Sequence, residues 1–203
     1  MPDHHNSMHT ILPPLFCPPV QWFAQLCKPD IVISEMGTLQ KQSLLNRCWI
    51  KTAQGPFSLT IPLIHTGTAR RYEEARISYH ENWAVRMLRT FTTNYRKSAY
   101  FEYYFPDLEA MLLAKPEYLH SLNHDLMVWM CRIFQLTPVF QEPAIDFRLD
   151  EIMYPPTLSS IALSEVPYFQ LYGDFIEGLS ALDLLFHYGP DAYTVLGKFK
   201  LLC

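Results

Sequence analysis

Glycine is scarce in this chain: 7 glycines stand against 16 prolines in 203 residues. The first loop placed to meet a ligand, residues 13–19, contains no glycine at all. That excludes the glycine-rich phosphate loops, which need a backbone bare enough to approach a pyrophosphate. No apolar run is long enough to cross a bilayer, so no membrane span is expected. The N-terminus, Met-Pro-Asp-His-His-Asn-Ser-Met, lacks both a basic n-region and an apolar h-region. No signal peptide is expected, and the cytoplasm is the expected compartment. Cys17, Cys27, Cys48, Cys131 and Cys203 are odd in number and show no Cys-x-x-Cys spacing, which fits reduced thiols. What is present is apolar and aromatic. Hydrophobic residues make up 49% and aromatics 14%, a globular rather than a disordered composition.

Charge is unevenly placed. Residues 41–97 hold ten Lys/Arg and three Asp/Glu, a balance of +7, while the remainder carries −11. One basic third in an acidic chain suggests a local anion site and argues against nucleic acid as a partner.

The pattern along the chain predicts an α/β fold. A strand over 9–12, a Pro-rich loop and a helix over 20–26 lead to a buried strand over 30–34, the parallel crossover unit. Strands over 47–52 and 57–63 flank the turn signal Gly55-Pro56, and 75–79 offers a further strand. Apolar spacing predicts helices over 82–97, 106–113 (with Pro106 in its first turn) and 116–136. A strand is expected within 139–147 and irregular chain over 153–172. A final helix over 180–188 would have Ser180 as N-cap and Asp183 in the reciprocal position. The expected architecture is one domain, 1–203. A small, mostly parallel or mixed sheet occupies the N-terminal part (9–80), followed by a largely helical C-terminal half (81–203).

In such folds ligands bind beyond the carboxyl ends of strands. Here that means residues 13–21 and the turn after Ser34, followed directly by the polar stretch 39–50. Lys41 and Arg47 offer positive charge, while Gln42 and Asn46 offer amides; Arg70 and Arg71 follow in the next polar loop. His65, in that loop, is the candidate general acid–base, and Glu35, after the second strand, a candidate base. Cys17 before a helix is a weaker nucleophile candidate. Tyr168, Gln170 and Tyr172 alternate, so in an extended segment they would share one face and could line a sugar site. His120 and His124 have zinc-pair spacing but no third ligand, and His4, His5 and His9 fall at a fraying end, so no metal site is assigned. The residues assign no cofactor and no oligomeric state.

Five stretches in order resemble the WbqC-like protein family. These are Ile-Leu-Pro-Pro-Leu-Phe-Cys-Pro-Pro-Val-Gln-Trp-Phe from Ile11, the run from Gln42 to Asn46-Arg47, and Gly-Pro-Phe-Ser-Leu-Thr-Ile-Pro from Gly55. Asn-Tyr-Arg-Lys-Ser-Ala-Tyr-Phe-Glu-Tyr-Tyr from Asn94 follows, then Tyr168–Tyr172 with Leu179–Pro190. Many relatives carry Gln-Pro at the end of the first strand; here the Gln position holds Pro13, so any contact from that Gln is missing or comes from elsewhere. The resemblance implies a bacterial protein of surface-polysaccharide (O-antigen-type) biosynthesis. It further implies a transferase adding an amino-acyl or glycyl group to an anionic sugar precursor, with a small-molecule or nucleotide-linked sugar as substrate. The alternative is a non-catalytic binding or assembly protein of the same pathway.

Overall fold

The computed structural model describes residues 10–28, 31–39, 43–64, 70–140 and 166–200. Strand β1 (Thr10–Leu12) pairs in parallel with β2 (Ile31–Ile33), Leu12 opposite Ile33. Helix α1 (Val20–Gln25) connects them, as the crossover pattern predicts, and all six of its residues are buried. Pro19 precedes it in an extended conformation, so the fixed proline ring starts the helix without losing a needed donor. The outer edge of β2 is also occupied: Ile33 N–H donates to the Val139 carbonyl at 2.8 Å, and Ile33 bridges Phe140 in parallel.

Among the described residues the strands form three separate two-stranded ladders in place of the expected single sheet. Strand β3 (Thr38–Leu39) takes its partner from β6 (Arg70–Arg71), Thr38 opposite Arg71 and Leu39 opposite Arg70. Strands β4 (Arg47–Thr52) and β5 (Gly55–Thr60) form an antiparallel hairpin. Thr52 Oγ1 closes its turn, accepting from Gln54 N–H and donating to the Gly55 carbonyl. Gly55 itself sits at φ +110°, where a side chain would be strained. The strand expected over 75–79 is reduced to isolated bridges, Leu63 to Ile77 and Arg76 to Tyr118.

Helices α2 (Trp83–Tyr95), α3 (Phe101–Leu113) and α4 (Leu119–Ile133) follow, then α5 (Ala181–Tyr188) and α6 (Ala192–Lys200). The helix predicted to start at Pro106 instead begins at Phe101, with Pro106 inside it. The penalty for an interior proline, about 3 kcal/mol, is offset by burial of the stripe Phe101, Tyr104, Leu108 and Leu112. Residues 180–188 are not the last helix, since α6 follows the turn at Gly189. One hydrophobic cluster runs from Leu12 through α1, β4 and α2–α4 to α5 and Leu196. Among the described residues no helix is long and apolar enough to cross a membrane.

Candidate functional site

The parallel pair β1–β2 ends in two loops that carry polar groups to one corner. After β1, the carbonyls of Pro13 and Pro14 have no place in the ladder. The first accepts from Trp22 Nε1 (3.1 Å) and the second from the Tyr72 hydroxyl (2.8 Å). Asn123, on α4 and wholly buried, places Nδ2 among three acceptors: Leu45 O at 2.7 Å, Tyr72 Oη at 2.9 Å and Pro14 O at 3.2 Å. Its Oδ1 has no protein partner. This knot locks the loop after β1, the start of β4 and α4 together.

Above the knot, the chain leaving β2 turns at Ser34, whose Oγ accepts from Met36 N–H. The turn brings Glu35 to the next residue of α4: Glu35 Oε1 lies 2.6 Å from His124 Nδ1. The two side chains are 35% and 38% exposed, half-covered and open to a ligand. With Nδ1 engaged by a carboxylate, Nε2 is the ring atom that can take or give a proton. The Phe140 ring stacks on the imidazole at 4.9 Å, holding its plane. Burial pushes the Tyr72 hydroxyl well up, and the Glu35 charge adds to that, so Tyr72 stays neutral beside the pair.

The arginines arrive from the other direction. Tyr72 N–H donates to the Gly37 carbonyl, and the β3–β6 pairing sets Arg70 and Arg71 beside Leu39 and Thr38. Glu35 thus shares its corner with Arg71, which is exposed and ion-paired to Glu73.

Asn46, Arg47, Cys17 and His120 go elsewhere. Asn46 Nδ2 donates to the Ile61 carbonyl (2.9 Å), extending the hairpin by one pair. Arg47 Nε donates to Thr60 Oγ1 across the ladder (3.1 Å) and has no acidic partner among the described residues. Lys41, Gln42 and His65 lie outside the described residues. Cys17 is buried against Cys48, and burial raises its thiol far above the reactive range, so the nucleophile reading fails. His120 turns its ring to Tyr72 and Tyr118 and not to His124. Among the described residues no three ligand-type side chains gather to hold a metal ion.

Tyr168 and Gln170 are buried, but Tyr172 is 40% exposed at φ +64°, so the alternation breaks before it reaches Tyr172. The first two join a second polar cluster, built on the far end of β4. Lys51, only 3% exposed, donates through Nζ to Gln170 Oε1 (3.2 Å), the Gly173 carbonyl (3.5 Å) and the Asp174 carbonyl. Its backbone N–H donates to the Tyr95 hydroxyl at 3.2 Å. Asp183 is fully buried beside it. Burial raises its pKa, while His187, the Tyr95 and Tyr168 hydroxyls and Lys51 pull it back down. Those hydroxyls are near enough to act on the charge, yet neither carboxylate oxygen meets a donor at full hydrogen-bond geometry. The reciprocal cap expected of Asp183 is absent because Ser180 N–H donates to the Trp49 carbonyl (2.7 Å) instead. Ser180 still caps α5, its Oγ accepting from Leu182 N–H.

His124, Lys51, Tyr95 and Asp183 were the residues sequence reasoning missed as partners. His124 is visible only as one half of an i, i+4 pair whose companion faces away. A lysine directly after the apolar run Cys48-Trp49-Ile50 in β4 was the available signal for Lys51.

An α/β corner with a carboxylate–histidine pair beyond the end of a parallel strand defines the class of site. The model of the WbqC-like protein family matches residues 14–148, and the chain belongs to that family. The match takes in Glu35, His124 and the β3–β6 corner and ends before Tyr168 and α5. No curated protein and no solved structure matches the chain.

Proposed function

We propose that this protein is a cytoplasmic transferase of surface-polysaccharide assembly, acting on an anionic sugar precursor, with Glu35 and His124 as its acid–base pair. The observation that carries the reading is the 2.6 Å contact between Glu35 Oε1 and His124 Nδ1, part-exposed at the carboxyl end of β2. His124 Nε2 takes the proton of an acceptor hydroxyl or amine as that atom bonds to the transferred acyl group. The imidazolium, stabilised by Glu35, returns the proton to the departing group. Arg70 and Arg71, with Lys41 and Gln42 two and three residues beyond β3, supply the charge and amide that hold the precursor's phosphate or carboxylate. Arg71 reaches such a ligand by turning its exposed guanidinium from the half-buried Glu73, a surface pairing of modest energetic weight. Glu35 here orients a histidine instead of acting alone, and His65 keeps a role in the same polar loop as the arginines.

A thermal-shift screen of nucleotide sugars, acyl carriers and aminoacyl donors identifies the ligand, because binding to the native state alone raises the melting temperature. With that ligand, His124→Gln is expected to lose about 10²–10⁴ in turnover while keeping affinity. Full turnover in both His124→Gln and Glu35→Gln sinks the acid–base assignment. Tight binding with no turnover of any precursor favours the non-catalytic binding protein.

A further inference from the structure

Four of the ten cations in the basic third of the chain lie on or just after α2, which the proposed site leaves unused. Residues 82–101 hold Arg86, Arg89, Arg96 and Lys97 and no Asp or Glu. The inner face of α2 is Trp83, Ala84, Met87, Leu88, Phe91 and Tyr95, all buried. Arg86, Arg89, Thr93 and Arg96 recur at intervals of three and four, so they share the opposite side of the helix. All four are exposed, and Lys97, exposed as well, follows in the turn. Arg86 pairs with the exposed Glu81. Arg89, Arg96 and Lys97 have no acidic partner among the described residues. Thr90 and Thr93, the neutral spacers, turn their hydroxyls back to the Arg86 and Arg89 carbonyls. The helix dipole favours cations at the C-terminal end, where Arg96 and Lys97 lie, but works against Arg86 near the start. Helix stability alone does not call for this row.

We propose that this face of α2 docks on the surface of an anionic lipid bilayer. From Arg86 to Arg96 the row spans about 15 Å of a convex helix face, at a rise of about 1.5 Å per residue. Cations so spread do not close around one small anion. Single-stranded nucleic acid is held by stacking on exposed aromatic rings, and the aromatics of α2, Trp83, Phe91 and Tyr95, are all turned into the core. A folded acidic partner needs an apolar centre to its interface, and α2 exposes one large apolar side chain, Val85. A bilayer asks for none of these. Its headgroups move sideways to meet fixed cations, and each Lys or Arg near the surface adds its own share of attraction. The contact is peripheral, with α2 lying on the headgroups and its apolar face kept in the core. The inference stands apart from the Glu35–His124 corner and does not depend on it.

The experiment floats the full chain with large vesicles of phosphatidylglycerol and phosphatidylcholine in equal parts, or of phosphatidylcholine alone, at low and at high salt. Wild type is compared with Arg89→Gln/Arg96→Gln/Lys97→Gln. A second variant, Lys115→Gln/Arg132→Gln/Lys198→Gln, removes the same charge from exposed positions elsewhere. Melting temperatures equal to wild type show that both variants fold. Expected is binding to the phosphatidylglycerol vesicles alone, at low salt, and its loss at high salt. The first variant is expected to bind about fivefold more weakly for each cation removed, about 10²-fold in all, and the second to lose at least about tenfold less. An absence of binding, equal binding to phosphatidylcholine, undiminished binding in the first variant or equal losses in the two would each overturn the proposal. Polyglutamate bound as tightly per charge as the vesicles would assign the row to an acidic polypeptide and overturn it too.

Discussion

Asp183 brings a carboxylate to a place where no solvent reaches it, among two tyrosines, a histidine and a buried lysine. Its folded pKa is raised above 3.8, chiefly by burial. A group that binds its proton more tightly when folded adds stability at low pH, and that contribution is lost as pH rises through the raised value. Asparagine does not titrate. The melting temperature of Asp183→Asn minus that of wild type is therefore expected to become more positive as pH is raised from below 4 through the acid range. A flat or falling difference across that series would show that Asp183 is not held against ionisation. Lys51 is the opposite case, because all three of its ammonium hydrogens have acceptors within reach. Lys51→Met strands the Gly173 and Asp174 carbonyls and takes one of two donors from the Gln170 amide oxygen. Hydrogen bonds to a charged donor contribute about 1.5–3 kcal/mol each, so a loss above about 3 kcal/mol is expected in urea unfolding. At this scale the sequence was readable for charge and not for partners. Glu35 stands out after an apolar strand, but the histidine it meets lies 89 positions away, and no local pattern joins the two.

Helix α3 shows how packing overrules a local rule. Proline forbids a hydrogen bond to the carbonyl four residues back, here Glu102, which is exposed and free to meet water. The segment stays helical ahead of Pro106 because Phe101 stacks on Phe105 (4.5 Å) and meets Phe186 of α5 edge-on (5.1 Å). Pro106→Ala restores the donor at an exposed position and is expected to raise stability by about 2 kcal/mol. That figure is the helix penalty less the chain-entropy benefit of proline. No gain in melting temperature would mean that this helix has adapted to its proline. At the end of α5, Gly189 lies at φ +54°, and an added Cβ would fall 2.5 Å from Cδ1 of the Tyr100 ring. Gly189→Ala is expected to lower the melting temperature markedly, since both the backbone and the ring must shift. The long amphipathic helices and the β4–β5 hairpin were legible because their signals are local: spacing, a turn glycine, alternating burial. The three-way split of the strands was not. A two-residue ladder such as β3–β6 is fixed by chain returning from some 30 positions away, and two residues carry no period.

The whole molecule is knitted across its length. Ala181 N–H donates to the Pro18 carbonyl and Ser180 N–H to the Trp49 carbonyl, so the start of α5 bonds to the loop before α1 and to β4. Six of the eight residues of α5 are buried. The family match ends at residue 148, but the apolar core does not. A chain cut after 148 loses Leu182, Leu184, Leu185 and Phe186 from that core and is expected to show no cooperative thermal transition by circular dichroism. A sharp transition in the truncated chain would show that the matched span folds by itself. The α/β class and the helical second half were readable because they follow from summed composition and periodicity. The closure of the C-terminal half onto the N-terminal loops was not, because hydrogen bonds between carbonyls and amides carry no residue identity.

The burial of Lys51 also gives the protein an internal clock. An amine whose hydrogens are all engaged is shut off from acylating reagents while the segment 170–176 stays closed. Its rate of acetylation then counts how often that segment lifts, against the surface lysines, which react at once. If that segment opens without global unfolding, Lys51 will be modified faster than the molecule unfolds.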